Sequence, residues 1–229
     1  MAKRAIVAVA VALGVVAGLA ILVTQGGGAS PAHSARHQAT PPTPRPATPA
    51  ASRGTPLQLI AGAGWVNGIY TRYPRSQAGA VSAAVEFMTE LGSTLDPDRA
   101  ATVARLTADS SYHAAPEDAA ASAIAARRAL GLPVSGVLPP GTGAFLVPVM
   151  YQLHQTGADQ LTVLLLYNYT LTQRSGVAEH VGVGAVSLIW TPASWRLLTP
   201  PADDVAKLLA TPGTADAAAK GWKAMTNGL

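Results

Sequence analysis

The chain contains no cysteine. A disulfide scaffold, a thiolate metal site and a cysteine nucleophile are thereby excluded. The compartment is left open, because extracytoplasmic proteins without disulfides are common. Charge is also scarce, at 12% of 229 residues, and none of the 12 acidic residues precedes Leu57. Five of the 16 basic residues do: Lys3, Arg4, Arg36, Arg45 and Arg53. Beyond that point 11 basic residues face 12 acidic ones. The pI of about 9.6 is therefore a property of the N-terminal segments, and the rest is near neutral. A DNA-binding domain carries its own basic patch, so no direct nucleic-acid binding is expected.

Motifs of catalysis are missing too. There is no G-x-S-x-G elbow, P-loop, H-E-x-x-H pair or calcium loop. "GAGWVNG", Gly62 to Gly68, has the wrong spacing for a dinucleotide fingerprint and no strand–helix context, so it reads as a loop leading into the domain. His113, His154 and His180 are not at ligand spacing. Glu86 and Glu90 lie one turn apart, on what reads as the water-facing side of a helix. Asp159 sits in "TGAD", where a turn role suffices, and the sequon at Asn168 falls inside a strand pattern. No catalytic residue, cofactor or metal is expected, and the chain does not read as an enzyme.

What is present falls into three zones. Lys3 and Arg4 precede an uncharged apolar run from Ala5 to Val23. As a helix it spans about 28 Å at ~1.5 Å per residue, close to a hydrocarbon core of ~30 Å. Residues 1–25 are expected to be a cytoplasmic tip and an uncleaved transmembrane anchor, with the basic end inside the cell. The rival is a cleaved signal peptide, whose apolar region is shorter, and "SPA" at Ser30 to Ala32 is a poor cleavage site. Gly14 and Gly18 form a G-x-x-x-G pair able to bring two such helices together. Residues 26–67 are rich in Pro, Ala and Thr and nearly free of large apolar side chains, the composition of a disordered spacer.

The third zone, 68–200, reads as an α+β domain followed by a helical tail over 201–229. Ser76 caps a helix to about Gly92. Asp96 and Pro97 open a second, ending near Ala108. "APED" opens a third, which Gly131 stops. Three long strand patterns follow. In "AFLVPVMYQLHQ" the alternating set is Phe145, Val147, Val149, Tyr151 and Leu153, with Pro148 marking an edge or a bulge. In "QLTVLLLYNYTLTQ" it is Leu161, Val163, Leu165, Tyr167, Tyr169 and Leu171. "HVGVGAVSLIW" bends at Gly182 and Gly184, and "WRLLT" is a short fourth strand. Hairpin-length turns make the sheet antiparallel. Strands this long curve, so the expectation is a cone-like domain of three helices on a curved four-stranded sheet.

Two segments carry a resemblance. "YPRSQAGAVSAAVEF" offers Tyr73, Pro74, Ser76, Ala78, Gly79, Ala80 and Val81. "GAVSLIWTPASWRLL" offers Trp190, Trp195, Arg196 and Leu197. Both resemble a family with a nuclear-transport-factor-two-like fold found in integrative conjugative elements of high-GC Gram-positive bacteria. That family has a Gly–Asp turn where this chain has Pro192–Ala193–Ser194. The resemblance implies a scaffold or assembly component of a conjugative, type IV secretion-like apparatus, held in the cell membrane with its domain outside. The implied partners are the membrane, other transfer-machine proteins and a second copy of the chain. Tyr73 and Arg75, before the first helix, and Trp222, in the tail, are the candidate partner contacts. Two alternatives stand beside it: an exported ligand-binding module or enzyme using the cone's hollow, and an accessory subunit of a lipid-transport complex.

Overall fold

The computed structural model of the chain describes residues 20–22, 54–201 and 204–227. The described residues form an α+β domain with a curled mixed sheet and three main helices, an arrangement consistent with a cone. Strand β1 is Ala20–Leu22, β2 Leu57–Gln58, β3 Gly64–Val66 and β4 Ile69–Thr71. Helices α1 (Gln77–Ser93), α2 (Pro97–Thr107) and α3 (Ala115–Ala129) follow. Then come β5 (Gly143–Gln155), β6 (Gln160–Gln173), β7 (Gly176–Thr191), β8 (Ser194–Leu197), a 3-10 turn (Ala206–Leu208), α4 (Ala215–Ala219) and β9 (Lys223–Thr226).

The helix signals act as their chemistry dictates. Ser76 Oγ accepts from the Gly79 amide at 3.0 Å. The Asp96 carboxylate accepts from the Asp98 and Arg99 amides, with Pro97 in the first turn of α2. Each such cap satisfies backbone donors that the helix leaves free, worth about 1 kcal/mol. α3 carries acids in its first turn and Arg127 and Arg128 in its last. Arg127 is buried, and its guanidinium donates to the carbonyls of Leu95, Pro133 and Gly136, so it pins the loop after α3 as well as closing the helix.

The main sheet runs β1-β7-β6-β5-β9-β2, and β8 pairs with β7 at the same edge as β1. β5 to β8 form an antiparallel meander, as the turns require. The sheet does not stop at four strands. β9, from the segment expected to be a helical tail, pairs antiparallel with β5, and β2 pairs parallel with β9. Residues 57–67, expected to lie in the spacer, are part of the fold: β2 joins the sheet, and β3 pairs with β4 in a separate hairpin. Two- and three-residue strands are too short to show a periodicity, and they form only because a partner strand is already in place.

The inner face of the sheet carries Leu146, Val163, Leu165, Tyr167, Tyr169, Val186 and Leu188 against Val81, Ala84, Phe87 and Met88 of α1. α2 and α3 meet each other through Ala100, Ala104, Ala115, Ala119 and Ala123, small side chains that let the helices approach closely. The outer face carries Met150, Leu164, Leu166, Val183 and Ala185 against Val205, Ala210, Ala217 and Trp222 of the C-terminal segment. Pro148 does mark a bulge, between Pro148 and Met150. Its consequence reverses part of the expected alternation. An extra residue shifts a period-2 pattern by one, so Tyr151 and Leu153 pack inward while Phe145 and Val147 are exposed.

Of the expected span Ala5–Val23, only Ala20–Leu22 are described. They lie antiparallel to β7, with Ala20 opposite Val183 and Leu22 opposite Val181. An unpaired strand edge offers an extended segment the backbone partners that a helix would otherwise supply internally. No helix of the described residues is long and apolar enough to cross a membrane. Gly14 and Gly18 lie outside the described residues.

Candidate interaction surface

The Tyr73 segment is the joint between α1 and the β7–β8 hairpin. Tyr73 is 2% exposed and stands edge-to-face on Phe87, with ring centroids 6.2 Å apart. Its amide donates to Ser194 Oγ at 3.3 Å. The Pro74 carbonyl accepts from the Trp195 indole N–H at 3.0 Å and from the Ser76 amide at 2.8 Å. A Cβ on Gly79 would stand 2.1 Å from that same carbonyl oxygen, so only glycine lets the helix turn under it. Trp195 in turn meets Trp190 edge-to-face at 5.4 Å. The two segments that carry the sequence resemblance therefore touch. Burial, followed by the nearby Glu86 charge, pushes the Tyr73 hydroxyl well above the ordinary tyrosine range.

Of the three proposed contact residues, one is at the surface. Arg75 is exposed and pairs with Asp159 in the β5–β6 turn, whose carbonyl accepts from the Trp190 amide at 2.7 Å. Tyr73 and Trp222 are corrected to core positions. Trp222 is 1% exposed, and its indole N–H donates to the Leu208 carbonyl at 2.9 Å. A large aromatic with its one donor satisfied gains most from burial, so the tail closes over it and is not left loose.

The polar side of α1 is covered, contrary to expectation. Ser82 Oγ accepts from the Ile60 amide at 2.9 Å, and Glu86 Oε1 accepts from the Tyr70 amide at 2.8 Å. Glu90 pairs with Arg99, which also donates to the Asn67 carbonyl at 2.6 Å. Helix periodicity identified a polar face correctly, but Ser82 and Glu86 meet backbone amides of the 57–71 segment and Glu90 meets Arg99 of α2. Burial raises the Glu86 carboxyl above 4.5, while the Tyr70 amide partly opposes that rise. Asn67 and Gly68 turn the β3–β4 hairpin with φ of 51° and 80°. Trp65, 60% exposed, stacks edge-to-face on Tyr70 at 4.5 Å at the hairpin's side.

Two hollows remain. One is an apolar crevice of about 30 Å³ lined by Phe87, Met88, Leu91, Tyr112, Val186 and Leu197, among others. That is room for about two water molecules, against the ~300 Å³ or more of a small-molecule pocket. The Tyr112 hydroxyl there is engaged with Asp118 at 3.0 Å. The other is an open groove of about 400 Å³ beside the end of α1, with Glu90, Ser93, Asp96, Arg99, Leu138 and Phe145 on its walls. Its charged groups and Ser93 are already paired: Glu90 with Arg99, Ser93 Oγ with the Leu146 amide, and Asp96 with the start of α2. Among the described residues no three His, Cys, Asp or Glu side chains gather as metal ligands.

What the surface does offer is apolar area. Phe145 is 57% exposed, Val147 51% and Val177 66%. Register places Phe145 and Val147 opposite Thr170 and Asn168, and Val177 opposite Thr172. These residues share the outer face of β5, β6 and β7, on the half that the C-terminal segment does not cover. Sequence reading missed this patch because the bulge reassigns Phe145 and Val147. The available signal was that both faces of β5 carry large apolar residues, which an exposed face does not require. Compared with known proteins, the chain matches no family model, no curated protein and no solved structure.

Proposed function

We propose that this chain is a single-pass, membrane-anchored extracytoplasmic scaffold of a conjugative, type IV secretion-like apparatus, acting through protein–protein contact. The carrying observation is where the apolar surface lies. The space between helices and sheet is filled by Phe87, Met88, Leu146, Leu165, Leu188 and Trp195, while Phe145, Val147 and Val177 stand in solvent. The interior between α1 and the sheet is packed, and neighbouring exposed apolar side chains on one strand face, here Phe145 and Val147, mark an interaction site. The basic tip and the apolar run Ala5–Val23 support the anchor. In this proposal the run enters the bilayer and Ala20–Leu22 leave the sheet edge to do so. The choice of a conjugation machine rests on the resemblance of the Tyr73 and Trp195 segments.

The decisive experiment pairs localisation with transfer. The chain is expected to stay in membranes through high-salt washing, with its domain cleaved by protease added from outside. A mature N-terminus near Ala32 would sink the anchor. Phe145→Asp with Val147→Asp is expected to cut conjugative transfer by about tenfold or more, the effect of losing ~1.4 kcal/mol of contact energy. Unchanged transfer with a folded double variant would remove the patch from the interface.

A further inference from the structure

The free edge of β5 runs along the wider of the two hollows. β6 pairs with one side of β5, and β9 reaches the other side only at Met150 and Tyr151. Between Gly143 and Val147 that other side has no strand partner among the described residues. The Leu146 amide donates to Ser93 Oγ at 2.9 Å, so Leu146 turns its backbone away from β6. Residues two apart in an antiparallel strand share that direction. Ala144 therefore turns its N–H and C=O the same way, and Gly143, Ala144 and Phe145 form one wall of the groove of about 400 Å³. Pro148 is the next residue of this set and has no N–H, so the edge able to pair ends before it.

The two sides of this edge differ in chemistry. On the outer face Phe145 and Val147 are exposed. On the inner side, past the end of α1, the groove carries Glu90, Asp96 and Arg99, two carboxylates to one guanidinium. Glu90 meets Arg99 through Oε2, and Asp96 uses Oδ1 on the α2 amides. One oxygen of each carboxylate is thereby left for a further donor. A strand laid along β5 sends alternate side chains to these two sides. The sequence that suits both is one in which apolar and basic residues alternate.

We infer that the Gly143–Val147 edge takes an extended segment of a partner protein by strand addition, with apolar side chains alternating with lysine or arginine. Main-chain hydrogen bonds to Ala144, and to the Leu146 amide once Ser93 Oγ releases it, supply the pairing. The apolar side chains of the added strand stand beside Phe145 and Val147 and cover them. The basic ones reach Glu90 and Asp96 as charge-assisted donors. A second copy of this chain lacks that complement, because its own edge, "GAFLV", carries no basic residue. A compact ligand cannot match an edge about 16 Å long, at ~3.3 Å per residue. The inference rests on the contact role proposed above for Phe145 and Val147, and not on the anchor or on the transfer machine.

The test uses the purified full chain in detergent and the fluorescein-labelled peptide Val-Lys-Val-Lys-Val-Lys, read by anisotropy against detergent alone. Two control peptides carry Glu in place of Lys, or a methyl group on every backbone nitrogen. The Lys peptide is expected to bind and to slow amide hydrogen exchange in the fragment holding Ala144 and Leu146. Both controls should bind about tenfold more weakly or worse. Ala144→Pro deletes the outward N–H without touching the β6 ladder, as Pro148 already does further along, and should lose about tenfold. Asp96→Asn removes a charge but keeps a helix cap, and should lose about threefold. Thermal unfolding checks both variants, and Asp96→Asn with the methylated peptide carries the test should Ala144→Pro fail to fold. No binding of the Lys peptide, or equal binding of the methylated one, overturns strand addition. Equal binding of the Glu peptide, or no change in Asp96→Asn, overturns the basic partner. Protection at Ala144 that rises with protein concentration, without peptide, assigns the edge to a second copy and overturns the inference. Transfer by the Phe145→Asp, Val147→Asp chain is read separately. Unchanged transfer with peptide binding intact in the parent chain upholds the edge and removes the contact role. Lost transfer with no peptide binding overturns the edge and keeps that role.

Discussion

The inner and outer faces of the sheet are built from the same three strands, yet they end in opposite states. Inward, Leu146, Val163, Leu165, Tyr167 and Leu188 meet α1 with almost no exposure. Outward, Leu164, Leu166 and Val183 are covered by Trp222 and its neighbours, while Phe145, Val147 and Val177 on the same face are bare. The inner face is closed along its length by α1, which precedes the meander in the chain. The outer one is closed only as far as the C-terminal segment reaches. The contrast teaches that the outer face carries apolar side chains in both halves but buries them only where a further segment of the chain lies on it.

The strongest test of that division is Trp222→Ala. It should lower unfolding stability by about 3–5 kcal/mol in denaturant titration, as for other buried tryptophans. A loss below ~1 kcal/mol would mean the tail is not part of the core. Next is Trp195→Phe, which keeps the ring but deletes the donor to the Pro74 carbonyl. A loss of about 1–3 kcal/mol is expected, since that carbonyl keeps only the Ser76 amide. Glu86→Gln probes the covered polar face by pH. A carboxyl raised in the folded state binds its proton more tightly there than in the unfolded chain. Its contribution therefore favours folding at low pH and is lost as pH rises above 4.5 toward the folded value. The Gln variant should lose that fall, and should be no less stable than the parent at pH 7. The opposite slope would show that the hairpin does not bury Glu86. The smallest stability effect belongs to the bare patch: Phe145→Asp should change unfolding stability by no more than ~0.5 kcal/mol while weakening partner contact. A loss comparable to that of Trp222→Ala would erase the distinction between the two halves of the outer face.

Much of this was legible in the chain. The caps at Ser76 and Asp96 are local chemistry, so α1 and α2 start where the sequence places them. β6 keeps its expected inward set from Leu161 to Leu171, because no bulge interrupts its pairing with β7. The site was far less legible. Arg75 stayed at the surface, but Tyr73 and Trp222 went inside, since an aromatic in an irregular segment gives no periodicity by which to judge its burial. The hairpin over Glu86 was hidden for a related reason. "GAGWVNGIY" has Gly and Asn enough to read as a loop, and its two short strands gain stability only from lying on α1.

The sequence by itself determined the helix starts, the antiparallel meander and an edge or a bulge at Pro148. Each depends on groups within a few residues of one another. The tertiary structure alone decided which side of the bulge faces water, what covers the polar side of α1, and that Trp222 belongs to the core. It also decided that Pro74 and Trp195, 121 residues apart, share a hydrogen bond. Those outcomes depend on which distant surfaces meet, and pairing between distant segments leaves no period in the sequence because its energy exists only once both partners are already folded.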